Sequence, residues 1–160
     1  MEKKLYWMAS RCWGCTQCQW TCAKEHGWTP RVTVEWALSL PVPIRCMQCT
    51  DAPCQSACPV GAISTTKEGV VVIDDAMCIG CGICAMVCPF GAIHFDGGKA
   101  AKCDQCIDRL KEGRPPACVE MCPGMALHFG EFEELHKAKR ENTAKKITEI
   151  SMEYVKLLAS

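Results

Sequence analysis

The chain has 160 residues, 18 of them basic and 18 acidic, so its formal charge is zero; 49% count as apolar, a share that includes 16 cysteines. With the cysteines set aside, little apolar material remains for a core, a shortage that small folds commonly meet with metals or disulfides. Balanced charge gives no sign of nucleic-acid binding, and no apolar run approaches the roughly 18 residues that a membrane-spanning helix needs.

The first predicted element is a strand over Leu5–Met8, leading into Cys12, Cys15, Cys18 and Cys22 with the spacing C-x2-C-x2-C-x3-C. Three thiolates spaced three residues apart lie on one tight loop and reach three iron corners of one cubane cluster, while a fourth ligand comes from elsewhere. From Ala23 to Arg45 the sequence reads as an inserted loop, with a strand over Val32–Glu35 and with Pro41 and Pro43 as breakers. Cys46, Cys49, Cys54 and Cys58 form the second group. After it, Ala62–Thr65, a polar turn at Thr66–Gly69 and Val70–Ile73 predict a hairpin. Cys78, Cys81, Cys84 and Cys88 repeat the spacing of the first group, and Ala92–Asp96, Gly97-Gly98 and Lys99–Lys102 predict another hairpin. The last group is Cys103, Cys106, Cys118 and Cys122. From Glu131 onward charged helix formers dominate, with Ile147, Ile150, Tyr154 and Leu157 on one stripe. Asn142 is expected to split this tail into two helices and Thr143 to cap the second.

No cysteine is left over, and two rival uses of so many thiols fit poorly. A disulfide framework belongs to a secreted protein, whereas Met1 to Trp7 run straight into the first motif without room for a signal peptide, which predicts a cytoplasmic protein. Zinc is held by four tetrahedral ligands, usually two separated C-x2-C pairs, and only the last group has that look. Three groups are followed by one phrase: Cys58-Pro-Val-Gly-Ala-Ile63, Cys88-Pro-Phe-Gly-Ala-Ile93 and Cys122-Pro-Gly-Met-Ala-Leu127. That repeat marks one structural unit used again, with proline setting the exit from the cluster and Ala-Ile or Ala-Leu starting a short strand. Cys22 precedes Ala-Lys-Glu-His-Gly instead, so its exit is expected to differ.

In two-cluster ferredoxins the fourth cysteine of each run ligates the other cluster, so motifs work in pairs. The 19 residues between Cys58 and Cys78, with their hairpin, suit a pairing of the second and third motifs, which leaves the first and fourth to pair across them. Four 4Fe-4S clusters follow: cluster A on Cys12, Cys15, Cys18 and Cys122; cluster B on Cys22, Cys103, Cys106 and Cys118; cluster C on Cys46, Cys49, Cys54 and Cys88; cluster D on Cys58, Cys78, Cys81 and Cys84. The expected fold is α+β, two bacterial-ferredoxin-like modules nested in sequence, with short hairpins around four cubane clusters and a C-terminal helical tail. The outer module takes residues 1–45 and 89–130, the inner module 46–88 and the tail 131–160. Each oxidised cube with four thiolates carries about −2, which takes the loaded protein to about −8.

Trp7, Trp13, Trp20, Trp28 and Trp36 all fall in the first quarter and are expected to pack beside a module poor in aliphatics, with Trp13 near a cube. Lys102, Arg109, Lys111 and Arg114 surround the fourth motif and read as a solvated loop with one stabilising cation. Of His26, His94, His128 and His136, His26 follows a motif most closely, yet all sixteen ligand places are filled without it. No Ser/His/Asp set, phosphate loop or dinucleotide fingerprint occurs, and every cube has four thiolates, so the protein reads as non-catalytic.

Arg11-Cys-Trp-Gly-Cys-Thr-Gln-Cys, Arg45-Cys-Met-Gln-Cys-x4-Cys, Cys78-Ile-Gly-Cys-Gly-Ile-Cys and Lys102-Cys-Asp-Gln-Cys-Ile-Asp-Arg-Leu-x4-Pro-Pro-Ala-Cys occur in this order. Over about residues 5 to 135 the sequence resembles the four-cluster iron-sulfur subunits. That family includes the electron-transfer subunits of dimethyl-sulfoxide reductase, formate dehydrogenase and polysulfide reductase, the ferredoxin-like partner of carbon monoxide dehydrogenase, and the small subunits of tungsten aldehyde oxidoreductases and benzoyl-CoA reductases. The resemblance implies a line of four cubes handing electrons between a catalytic subunit and a second redox carrier, and it agrees with the nested pairing. A tungsten- or molybdenum-pterin enzyme is the favoured catalytic partner; a nickel carbon monoxide dehydrogenase or a hydrogenase is the alternative, and a free soluble polyferredoxin is a third reading. A short loop between the first two motifs, with no membrane anchor or twin-arginine signal, favours a cytoplasmic assembly.

Overall fold

A computed structural model describes residues 3–158 as short strands alternating with short helices. The protein separates into a larger unit, Leu5–Phe129, and a smaller one that carries the C-terminal helix.

The larger unit holds its strands as two-stranded ribbons. β1 (Lys4–Trp7) pairs with β8 (Leu127–Gly130), and the Met8 N–H continues the pairing to the Ala126 carbonyl at 2.8 Å. β2 (Val32–Ala37) pairs antiparallel with β3 (Leu40–Arg45), Val32 opposite Arg45. β4 (Ile63–Thr65) pairs with β5 (Val71–Ile73), Ile63 opposite Ile73, and β6 (Ile93–Asp96) with β7 (Lys99–Lys102), Ile93 opposite Lys102. Between the ribbons run α1 (Gln17–Glu25), α2 (Pro53–Ser56), α3 (Ile83–Val87), α4 (Ile107–Lys111) and α5 (Ala117–Glu120). Both expected inner hairpins are present, and the Ala-Ile and Ala-Leu pairs do open strands β4, β6 and β8.

The inserted segment is more regular than its composition predicts. Pro41 and Pro43 do not break it; both lie within β3, opposite Trp36 and Val34. They are spaced by two, so their missing N–H groups fall on the same side of the strand, and in a two-stranded ribbon one side has no partner to lose. The turn at Leu38 and Ser39, with φ of 48° and 66°, takes the left-handed two-residue form that Gly97-Gly98 gives the β6–β7 hairpin.

In the smaller unit, α6 spans Phe132–Leu158 as one helix, so the expected break at Asn142 is absent. Asn costs a helix interior under about 1 kcal/mol, too little to interrupt a run rich in Glu, Lys and Ala. Thr143 is not a cap, because its hydroxyl donates back to the Lys139 carbonyl at 2.9 Å. Ile147, Ile150 and Tyr154 are exposed, and the Leu157 side chain lies outside the described residues.

Two apolar clusters hold the larger unit, and thiols are part of both. Ala52, Ile63, Val71 and Ala100 surround Cys54 and Cys84, while Leu5 and Leu127 surround Cys118, with Trp7, Val119 and Phe129 packed on them. Leu5 joins the first strand to the last strand through this second cluster. Truncation by Leu5→Ala is expected to cost about 2–5 kcal/mol by leaving a cavity, read as a lower denaturant midpoint of the loaded protein under anoxic conditions.

Candidate metal centres

All four cysteine groups share one local build. The third cysteine of each group sits on a short helix: Cys18 on α1, Cys54 on α2, Cys84 on α3 and Cys118 on α5. Immediately before the second cysteine the backbone turns left-handed, at Gly14 (φ 79°), Gln48 (53°), Gly80 (71°) and Gln105 (57°). A left-handed residue there folds the C-x2-C segment back so that both thiols address one side. At Gly80 nothing else fits, since a Cβ would stand 2.1 Å from the Gly98 carbonyl oxygen.

After the fourth cysteine the repeated phrase makes a repeated turn. The Gly61, Gly91 and Met125 N–H groups donate to the Cys58, Cys88 and Cys122 carbonyls at 3.3, 3.4 and 3.0 Å. Cys22 departs from this, because α1 carries on past it to Glu25. The different exit expected from Ala-Lys-Glu-His-Gly is a continuing helix.

Sulfurs from different groups converge. Cys46, Cys49, Cys54 and Cys88 line one cleft of about 370 Å³ with Val71, Phe90 and Lys102. Cys58, Cys78, Cys81 and Cys84 line another of about 340 Å³ with Ile63, Ile73, Ile79 and Ala100. Cys18 feels the charges of Cys15, Cys12 and Cys122, and Cys118 those of Cys103, Cys106 and Cys22. Burial is the main influence on these thiols and pushes Cys18 up to about 11, Cys22 to about 12 and Cys106 to about 11. Neighbouring cysteines raise them further, as like charges must. Cys58 moves the other way, held down by backbone N–H groups, that of Val60 foremost.

All sixteen thiols are free. Clustered, desolvated thiols that oppose one another's ionisation are the donor set of a metal core, which takes the place of their protons. Backbone N–H groups already point at sulfur: Arg31 to Cys22 at 3.2 Å, Ala126 to Cys122 at 3.2 Å and Ala100 to Cys78 at 3.5 Å. Such donors stabilise sulfur-borne negative charge and raise a cluster's potential.

Several residues at the site went unread in the sequence. Gln48, 2% exposed, accepts the Val71 N–H and donates to the Cys103 carbonyl, both at 2.8 Å, and so ties the second group to β5 and to the fourth group. Arg45 is buried and donates to the Leu5 and Cys46 carbonyls. The loop read as solvated divides: Lys111 and Arg114 are exposed and pair with Asp108 and Glu112, whereas Lys102 and Arg109 are buried. Arg109 joins α4 to Glu25 of α1, to Glu120 of α5 and to the Pro115 carbonyl. The available signal was a basic residue directly before the first cysteine of three groups, Arg11, Arg45 and Lys102.

His26 lies 3.6 Å from the Cys106 sulfur and 3.8 Å from the Asp104 carboxylate, and burial lowers its pKa. The tryptophans mostly do not pack as expected. Trp13, between Cys12 and Cys15, is 58% exposed, and Trp20, Trp28 and Trp36 are exposed too; Trp7 alone joins an apolar cluster. Each aliphatic cluster is already closed by thiols and short strands, which leaves these rings on the surface.

A Cβ at position 80 collides with backbone and sits at an unfavourable φ. Gly80→Ala is therefore expected to strip metal from the cleft of Cys58, Cys78, Cys81 and Cys84, read as a loss of about a quarter of the bound iron, while Gly61→Ala, where a Cβ meets nothing, retains it.

The family of 4Fe-4S dicluster domains matches residues 37–132. The iron-sulfur B subunit of the anaerobic dimethyl sulfoxide reductase of Escherichia coli is 37% identical over 150 residues, spanning 81% of this sequence and 73% of that protein. An iron-sulfur protein of Rhodospirillum rubrum is 36% identical, spanning 89% of this sequence and 90% of its own length. An uncharacterized ferredoxin of Methanocaldococcus jannaschii is 40% identical over 91% of both proteins. With its converging thiols and these relatives, the protein belongs to the 4Fe-4S dicluster domain family and is an iron-sulfur electron-transfer protein rather than a catalyst.

Proposed function

We propose that this protein is the four-cluster electron relay of a cytoplasmic anaerobic oxidoreductase, passing electrons between a molybdenum- or tungsten-pterin catalytic subunit and a second redox carrier. The observation that carries this reading is the convergence of sixteen thiols in sets drawn from different motifs, in a sequence similar to the dimethyl sulfoxide reductase B subunit over most of its length. No helix among the described residues is long and apolar enough to cross a membrane.

The cluster assignment is the nested one. The cleft of Cys46, Cys49, Cys54 and Cys88 and that of Cys58, Cys78, Cys81 and Cys84 support an inner module from the second and third motifs. The mutual influence of Cys18 with Cys122, and of Cys22 with Cys103, Cys106 and Cys118, supports an outer module from the first and fourth. When bound, cubane clusters supply one-electron carriage. The protein's own part is to hold four thiolates at each core, to direct N–H groups at sulfur and to exclude water with Val71, Ile63, Ile73 and Leu127. Trp13, exposed beside two ligands of the outer module, supports an approach for a partner at that end.

A free polyferredoxin is the second reading, favoured by the ferredoxin that matches over 91% of both proteins. Anoxic affinity purification from native cells, with metals quantified, separates the two. Molybdenum or tungsten in a stoichiometric partner is the expected result; nickel points to a carbon monoxide dehydrogenase or hydrogenase, and iron alone, near ~16 atoms per molecule, to the free carrier. For the nesting, Cys122→Ser is expected to abolish the same electron paramagnetic resonance signal as Cys15→Ser. Loss of the signal that Cys81→Ser removes would instead establish sequential pairing.

A further inference from the structure

Lys102 closes β7 and is 3% exposed. Its ammonium nitrogen lies 3.5 Å from the Cys46 sulfur and 3.3 Å from the Cys103 carbonyl oxygen, and it also donates to the Val71 carbonyl. Among the described residues no carboxylate stands within ion-pair distance of it: nearby Asp104 is turned to Arg31, at 2.7 Å, and to the Cys106 N–H. A buried ammonium without a counter-ion is strongly disfavoured, and two carbonyl dipoles compensate it only in part. The remaining negative charge within reach is sulfur, in the cleft of Cys46, Cys49, Cys54 and Cys88 that Lys102 lines. Burial raises the Cys54 thiol, and Lys102 is the leading influence opposing that rise.

The companion cleft differs. Around Cys58, Cys78, Cys81 and Cys84 the lining is Pro59, Val60, Ala62, Ile63, Ile73 and other uncharged residues, with no charged side chain. Two sites built from the same repeated phrase thus differ by one cation.

We propose that Lys102 is a potential-setting residue: its fixed positive charge raises the reduction potential of cluster C and makes it the preferred electron site of the inner pair. The inference rests on the four-cluster assignment above. Reduction adds one negative charge to the cubane and its thiolates, and a cation held against the Cys46 sulfur stabilises the reduced form more than the oxidised form. The Val71 and Cys103 carbonyls hold the ammonium in place, and no proton needs to move.

The test is an anoxic titration of the loaded full-length protein with dithionite, followed by electron paramagnetic resonance, in the wild type and in Lys102→Met, Lys102→Gln and Lys102→Arg. At the potential where cluster C of the wild type is half reduced, the neutral variants are expected to show its reduced-to-oxidised ratio lowered at least about tenfold. That is a downward shift of about 59 mV or more for a one-electron step. The other three waves stay within about threefold, and Lys102→Arg restores the lost ratio. Full iron content in a neutral variant with all four waves unmoved overturns the proposal. If neither neutral variant holds its iron, Lys102→Arg decides: recovery of iron and of the wave upholds a role for charge, while failure alongside them overturns it. A wild type loading far fewer than about 16 iron atoms defeats the four-cluster assignment itself, a result separate from unmoved waves in a fully loaded variant.

Discussion

Thiols brought together where water is scarce resist ionisation twice, once because burial disfavours charge and again because each thiolate repels the next. Cys18, Cys22, Cys106 and Cys118 show both effects, with burial the larger. A metal core relieves both, since it neutralises the sulfurs it binds. The rest of the larger unit follows from that constraint. Its apolar clusters are completed by Cys54, Cys84 and Cys118, so the same side chains serve as core and as ligands. Folding and metal loading are then one free-energy change rather than two, as expected for a protein with so little aliphatic material.

Repetition supplies the common geometry, and the departures from it are where the sites become distinct. A left-handed residue precedes the second cysteine in every group, yet two groups use glycine and two use glutamine. Glycine is required where backbone presses close, as Gly98 does at Gly80. Glutamine accepts the strain of a positive φ because its side chain is then buried with both ends bonded, as Gln48 shows between Val71 and Cys103. The buried cations differ in kind as well. Arg109 is matched by Glu25 and Glu120 and fastens three helices, whereas Lys102 faces sulfur and carbonyl oxygen alone.

The protein presents aromatic surface near one end of its cysteine-rich unit and a long, polar helix with exposed Ile147, Ile150 and Tyr154 in its smaller unit. Tryptophans left outside a core that thiols have already closed are suited to meeting another protein, where a rigid ring contributes large contact area at low entropic cost. An electron carrier needs such an approach, because its product is delivered to a partner and not released into water.

Iron-sulfur chemistry was legible in the sequence because ligand spacing is a local property: three thiols on one loop address one cubane whatever the rest of the protein does. The hairpins at Ile63–Ile73 and Ile93–Lys102 were legible for the same reason, being carried by turn residues and short apolar runs. Local rules misled where the environment overrode them. Prolines 41 and 43 were tolerated on the free side of a ribbon, Asn142 was absorbed by a long helix, and most of the tryptophans stayed outside. Tertiary structure alone decided which sulfurs face one another, that β1 meets β8, and that Gln48, Lys102 and Arg109 are buried. Those facts depend on segments dozens of residues apart arriving at one place, and a polar side chain's burial is set by what covers it, which no window of sequence contains.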